Sequence, residues 1–245
     1  FCDENGKQRS AIRNPDFFFL ESITWTDISS SSFGVRFSKK GSLFDGSSHS
    51  AFCDNNIIKY FTSFLCSKLS YEFLKLLNPT MHFQVGNIAS LPIIFPKQES
   101  TKQTIDTLTQ ECIDISKEEW DSRETSWDFT KNELLKHLVP KGTLCEKSDS
   151  KIETAYNNYC QVWSEKFYKL HANEEELNRL FIDIYELGDE LTPDVALKDI
   201  TILKSESIIN DRGELEFKAD EIMKQFISYA VGVMFGRYSL DKDGL

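Results

Sequence analysis

Pro193 and Asp194, followed by Glu216 and Lys218, stand in the order of a metal-dependent nuclease, whose carboxylates hold a divalent cation beside a lysine-oriented water. That chemistry needs its acidic residues on adjacent strands. Residues 211–221, DRGELEFKADE, instead suggest a charged turn running into a helix, so this set is expected to be inert. The six cysteines, Cys2, Cys53, Cys66, Cys112, Cys145 and Cys160, form no C-x-x-C pair, and the four histidines are scattered away from them. Reduced thiols are therefore expected, with neither a zinc site nor any other metal. A different chemistry, neutralising phosphates and reading base edges, is open to Lys7, Arg9, Arg13, Ser30, Ser31, Arg36, Lys39, Lys40, Asn55 and Asn56, all near expected loops. Taken singly, each is more often a solvated surface residue. Arg36 leads the set because it follows a run of serines and Gly34 in FGVRF, and arginine can grip guanine through two hydrogen bonds as asparagine can adenine. His82 and Gln84 suit base edges about as well as they suit a satisfied buried role.

The elements that must position these residues follow from length, charge and periodicity. With 245 residues, 40% of them hydrophobic, the chain can form one large domain or two smaller ones. No apolar run approaches the roughly 18 residues of a membrane span, and FCDENGKQRS lacks the apolar region of a signal peptide. A soluble, cytoplasmic protein with no membrane partner is expected. Because it starts at Phe1 without an initiator Met, the chain is also expected to be part of a longer polypeptide. The net charge of −11 disfavours a polyanionic partner until the chain is divided at Gln98. Residues 1–98 carry 10 Lys and Arg against 8 Asp and Glu, a net of +2, and residues 99–245 carry 18 against 31, a net of −13. Only the first part offers a footprint for phosphate, and the acidic second part suits packing or protein partners.

Residues 17–37, FFFLESITWTDISSSSFGVRF, are dense in aromatic and β-branched residues and predict strands joined by a Ser-rich turn. Between Ile57 and Leu77, apolar residues recur at helical spacing, predicting one or two helices stopped by Asn78 and Pro79. Gln84 to Ile94 reads as extended, ending in LPIIFP. Ile105, Leu108, Cys112 and Ile115 keep a 3-4-3 step that predicts the seam of a two-helix coiled coil or a long packed helix, after which residues 120–149 read as loop apart from 134–139. Two separate helices are expected next. One spans about 151–170; the other follows a capping box of Asn173 and Glu176 and closes at Gly188. A last helix, 220–235, is apolar nearly all round and is expected to be buried.

Several of these stretches resemble one family. LPIIFPKQESTKQTIDTL looks like the exit from a target recognition domain in the specificity subunits of type I restriction enzymes, an apolar strand leading into a long spacer helix. More specifically, LNPTMHFQVGNIASLPI resembles the end of the recognition domain in BREX-type, or type IIG-like, adenine-specific DNA methyltransferases. ITWTDISSSSFGVRF resembles its start and WDSRETSWDF its post-spacer segment. RLFIDIYELGDELTPDVALKDITI and SYAVGVMFGRYSLD resemble its C-terminal helical region. The resemblance implies an α+β chain: a small mixed α/β target recognition domain over 1–98, then a mainly α-helical domain over 99–245 with the spacer helix. It also implies double-stranded DNA as partner, together with a catalytic methyltransferase domain in the same polypeptide and further defence-system proteins.

Catalysis departs from the family's pattern. Adenine N6 methylation uses Asn or Asp followed by Pro-Pro and an aromatic residue, which together hold and stack the flipped base. Asn14 in NPDF and Asn78 in NPTM lack the second proline, and the latter also lacks the aromatic, so both read as turns. Gly232 and Gly236 belong to an apolar helix rather than to a loop that binds S-adenosylmethionine. The resemblance thus implies that cofactor for the parent enzyme and none for this chain, whose expected role is recognition without chemistry of its own. The competing expectation is an acidic helical scaffold of the same defence complex that does not touch DNA.

Overall fold

The computed structural model describes Glu4, Gly6 and residues 14–29, 33–44, 48–138 and 151–239. The fold is α+β, in two compact units: Phe1–Thr109 with Leu177–Thr192, and Gln110–Glu176 with Pro193–Leu245.

In the first unit, β1 (Ser22–Thr26) is the centre of an antiparallel sheet of order β2-β1-β3, flanked by β2 (Arg36–Ser38) and β3 (Ser48–Ala51). β-Branched and aromatic residues favour this pleated backbone, and the two-residue period sends Ile23 and Trp25 into the core. The Trp25 indole N–H donates to the Phe83 carbonyl at 2.7 Å, so its polar edge is satisfied where it is buried. Beyond β1 the pairing continues: the Phe83 amide donates to the Asp27 carbonyl at 2.7 Å and the Ser29 amide to that of Met81 at 3.0 Å.

The helical run after the sheet divides into α1 (Ile58–Cys66) and α2 (Lys68–Leu77), because Ser67 takes an extended backbone and its Oγ accepts from the Ser70 amide at 3.3 Å. Residues 84–94, expected to be extended throughout, begin instead with a short helix, α3 (Val85–Ala89). Side-chain bonds outweigh β-propensity there. Asn78 Nδ2 donates to the His82 carbonyl and to Asn87 Oδ1 at 2.9 and 3.1 Å, and Ser90 Oγ donates to the Gly86 carbonyl at 2.8 Å. The segment between Pro92 and Pro96 joins no sheet among the described residues. Tyrosines supply its backbone bonds: Tyr60 donates to the Ile94 carbonyl at 2.6 Å, and Tyr185 donates to that of Pro92 at 2.6 Å while accepting from the Ile94 amide at 2.9 Å.

α4 (Glu99–Asp121) outruns its expected seam and takes in Trp120, which the sequence placed in a loop. After α5 (Glu133–Lys136), the two helices expected between 151 and 188 form one continuous α6 (Lys151–Ile184). Asn173 does not cap a helix; it is buried within α6 and donates to Glu111 Oε2 at 2.8 Å. Nor does Gly188 end α6. Glu186 adopts left-handed φ of 56°, its amide donates to the Asp183 carbonyl, and the Leu187 amide donates to that of Ile182. This is a Schellman closure built on a glutamate.

The second unit packs Tyr159, Trp163, Phe167 and Leu170 of α6 against Ile200, Ile202, Leu203 and Ile222. Residues 207–217 form a hairpin, β4 (Ser207–Ile209) with β5 (Leu215–Phe217), where a turn running directly into a helix was expected. Asn210 Oδ1 accepts from the amides of Arg212 and Glu214 and sets the turn. Buried Glu206 takes bonds from Arg123 and Tyr159, and Arg123 also donates to Glu119 at 2.5 Å and Gln225 at 3.1 Å. Glu174 finds less relief: burial pushes its carboxyl up to about 7, with His171 and Lys204 opposing and Asp199 adding to the shift. α7 (Ala219–Met234) corrects a further expectation, because it is not buried all round. Ile222 and Tyr229 face inward, whereas Ile227, Val231, Met234 and the following Phe235 are exposed.

Candidate nucleic-acid interface

Strand register assigns seven residues to the sheet face away from Ile23 and Trp25. Thr24 lies opposite both Arg36 and Ser50, Ser22 opposite Ser38, and Thr26 opposite Ser48. Partners opposite one another share a face, so six hydroxyl residues and Arg36, with no carboxylate among them, lie on one side of the sheet. Thr26 and Arg36 are exposed and Thr24, Ser38 and Ser48 are half-buried, whereas Ser22 and the Ser50 hydroxyl are buried, so five of the seven can reach an external partner. Hydroxyls donate and accept, and arginine adds a charged fork, the mixture that binds phosphates and base edges.

Arg36 sits on the edge strand β2, and Lys39 and Lys40 continue outward from it, all three exposed. None of them forms an ion pair among the described residues. Asn55 and Asn56 occupy a different element, the turn that opens α1, where the Asn56 carbonyl accepts from Lys102 Nζ at 2.7 Å. Lys7, Arg9, Arg13, Ser30 and Ser31 lie outside the described residues. Thr24, Thr26, Ser38, Ser48 and Ser50 were missed by sequence reasoning. The alternating pattern Ser-Ile-Thr-Trp-Thr in β1 carried a signal for them, but the register with β2 and β3 had to be known before it became a surface.

Beyond the end of β1, the Asp27 carboxylate accepts from His49 Nε2 and from His82 Nδ1, each at 3.2 Å. These two bonds, His49 first, hold the Asp27 carboxyl below its usual range. His82 is thus held by its Nδ1, and its half-exposed ring leaves Nε2 for an external partner. Gln84 is exposed at the start of α3 and caps it with no side-chain bond.

The other motifs resolve into structural roles. Asn78 Oδ1 accepts from Thr80 Oγ1 at 2.8 Å while its amide nitrogen donates twice, so the NPTM side chain closes a turn. Asn14 is left-handed, with φ of 52°, at the start of a single 3-10 turn. Glu216 lies opposite Ile208 on β4, a strand with no acidic residue, so the nuclease order does not converge. Among the described residues, no three His, Cys, Asp or Glu side chains are grouped to hold a metal ion. Gly232 is a packing glycine, since a Cβ there would come within 2.6 Å of the Tyr238 ring. Among the described residues neither strand-to-helix junction, 52–57 or Lys218, contains a glycine. No helix among them is long and apolar enough to cross a membrane.

No protein-family model matches the chain. Its similarity is to adenine-specific methyltransferases. Over 243 residues, 99% of this chain, it is 39% identical to the adenine-specific methyltransferase PglX of Lacticaseibacillus casei (strain Zhang), of which the match covers 18%. Over 246 residues, 98% of this chain, it is 31% identical to the adenine-specific methyltransferase BrxX of Escherichia coli O9:H4 (strain HS), of which the match covers 19%. The chain therefore spans about a fifth of the length of these curated relatives.

Proposed function

We propose that this chain is the sequence-recognition part of an adenine-specific DNA methyltransferase of a BREX-type defence system. It would hold duplex DNA so that a catalytic domain elsewhere in the polypeptide, supplied with S-adenosylmethionine, methylates adenine at N6. The observation that carries this reading is the carboxylate-free face of hydroxyls around Arg36, continued by Lys39 and Lys40. β2 is an edge strand of the three-stranded sheet, so Arg36 and the lysines that follow it lie at a margin open to a duplex. Similarity to adenine-specific methyltransferases along nearly the whole chain supports the same reading.

The test is an exchange of residues 22–84 for the same segment of a relative within the parent polypeptide, followed by mapping of N6-methyladenine by long-read sequencing. A methylated motif that changes with the segment supports recognition by this chain. An unchanged motif refutes it. The exposed apolar side of α7 favours a second reading, in which the acidic helical part is a scaffold for protein partners of the defence complex.

A further inference from the structure

We infer that Phe19 is a base-stacking residue, one that lays its ring on a nucleobase displaced from the DNA stack. The inference rests on the DNA-recognition reading and extends it to a residue outside the polar face. Phe19 has a left-handed backbone, φ 64°, which side chains with a Cβ rarely adopt. It is held there by two backbone bonds: its amide donates to the Ser42 carbonyl at 3.0 Å, and its carbonyl accepts from the Gly41 amide at 3.1 Å. Gly41 is at φ 107°, which glycine adopts freely, so this closure follows directly after Lys39 and Lys40 with the strain confined to Phe19.

The surrounding rings separate Phe19 from its neighbours. Phe17 contacts Phe52 at 4.8 Å, Phe18 contacts Phe44 at 5.4 Å, and Phe44 contacts Phe52 at 5.5 Å, forming an aromatic cluster. Among the described residues Phe19 touches that cluster only edge-on, through Phe18, and it remains 56% exposed. Strain of this kind persists where the surroundings enforce it and is found at ligand clamps; left-handed Leu203 carries it inside the core, whereas Phe19 carries it at the surface. Here the strained residue presents an aromatic face that contributes little to the core. A nucleobase matches it: any base offers a π-face, and the lysine ammonium groups on the adjoining turn suit the flanking phosphates. A purely apolar protein partner would leave those two charges facing an apolar surface.

The test uses the 245-residue chain and two mixed-sequence duplexes, one with a single bulged 2-aminopurine and one fully paired. Wild type and Phe19→Trp are expected to quench the bulged 2-aminopurine on binding. Phe19→Gly is expected to bind the bulged duplex about tenfold more weakly with an unchanged dependence on salt, and to fold at least as stably, since glycine suits φ of 64°. Equal affinity and equal quenching for Phe19→Gly and wild type overturn the stacking role while leaving DNA recognition intact. Failure of the wild-type chain to bind either duplex overturns the recognition reading and this one with it.

Discussion

Neutralising Arg36, Lys39 and Lys40 together should flatten the salt dependence of DNA binding by an amount the structure specifies. The three side chains lie within five consecutive residues, are exposed, and have no ionic partner among the described residues. Each can therefore displace a condensed counterion without first breaking a bond inside the protein. Each phosphate contact adds about 0.9 to the slope of log affinity against log salt, so the triple alanine variant should lose about 2.7. Between roughly 50 and 200 mM salt, wild-type affinity should then fall about 40-fold further than that of the variant. Fluorescence anisotropy with a labelled mixed-sequence duplex across four salt concentrations measures both slopes. As surface substitutions, the three changes should alter folding stability by only about 0.5 kcal/mol each, which urea denaturation checks. Identical slopes for a folded variant would refute the assignment of phosphate contacts to this strand.

Glu174→Gln should change how stability varies with pH. The carboxyl is raised from 4.5 to about 7 in the fold, so the folded chain holds that proton more tightly than the unfolded one. Its favourable contribution is complete below pH 4.5 and is lost as pH rises through about 7. Wild type should accordingly weaken over that window, by about 3 kcal/mol, and the glutamine variant should not; parallel curves from urea titrations at several pH values would exclude this role. Glu186→Gly should stabilise the chain by about 0.5–1 kcal/mol, because glycine removes the left-handed penalty at φ 56° but gives back part of it as unfolded-state entropy. Thermal unfolding measures the gain, and a lower midpoint would mean that the glutamate side chain contributes more than its backbone strain costs.

Local periodicity alone determined most of the elements that build this chain. The alternation around Ile23 and Trp25 predicted a strand with one buried face, and the apolar steps from Phe61 to Leu77 predicted the helices behind it. The break at Ser67, in contrast, depended on a cap bond that periodicity does not reveal. Long-range pairing decided where local signals misled. Asn173 and Glu176 spell a helix start, yet Asn173 has Glu111 as a partner 62 residues away, and the helix runs through. The β-branched residues of 84–94 suggest a strand, yet Asn78 folds the segment back and two tyrosines hold its backbone. For the site, residue types marked Arg36, Lys39 and Lys40. Only sheet register could place Thr24, Ser50, Ser38 and Ser48 around Arg36, because cross-strand neighbours are set by hydrogen bonding between segments far apart in sequence. Phe19 makes the same division plain. Its aromatic character is written in the sequence, whereas its left-handed backbone exists only because Ser42 and Gly41 bind it from the far side of β2.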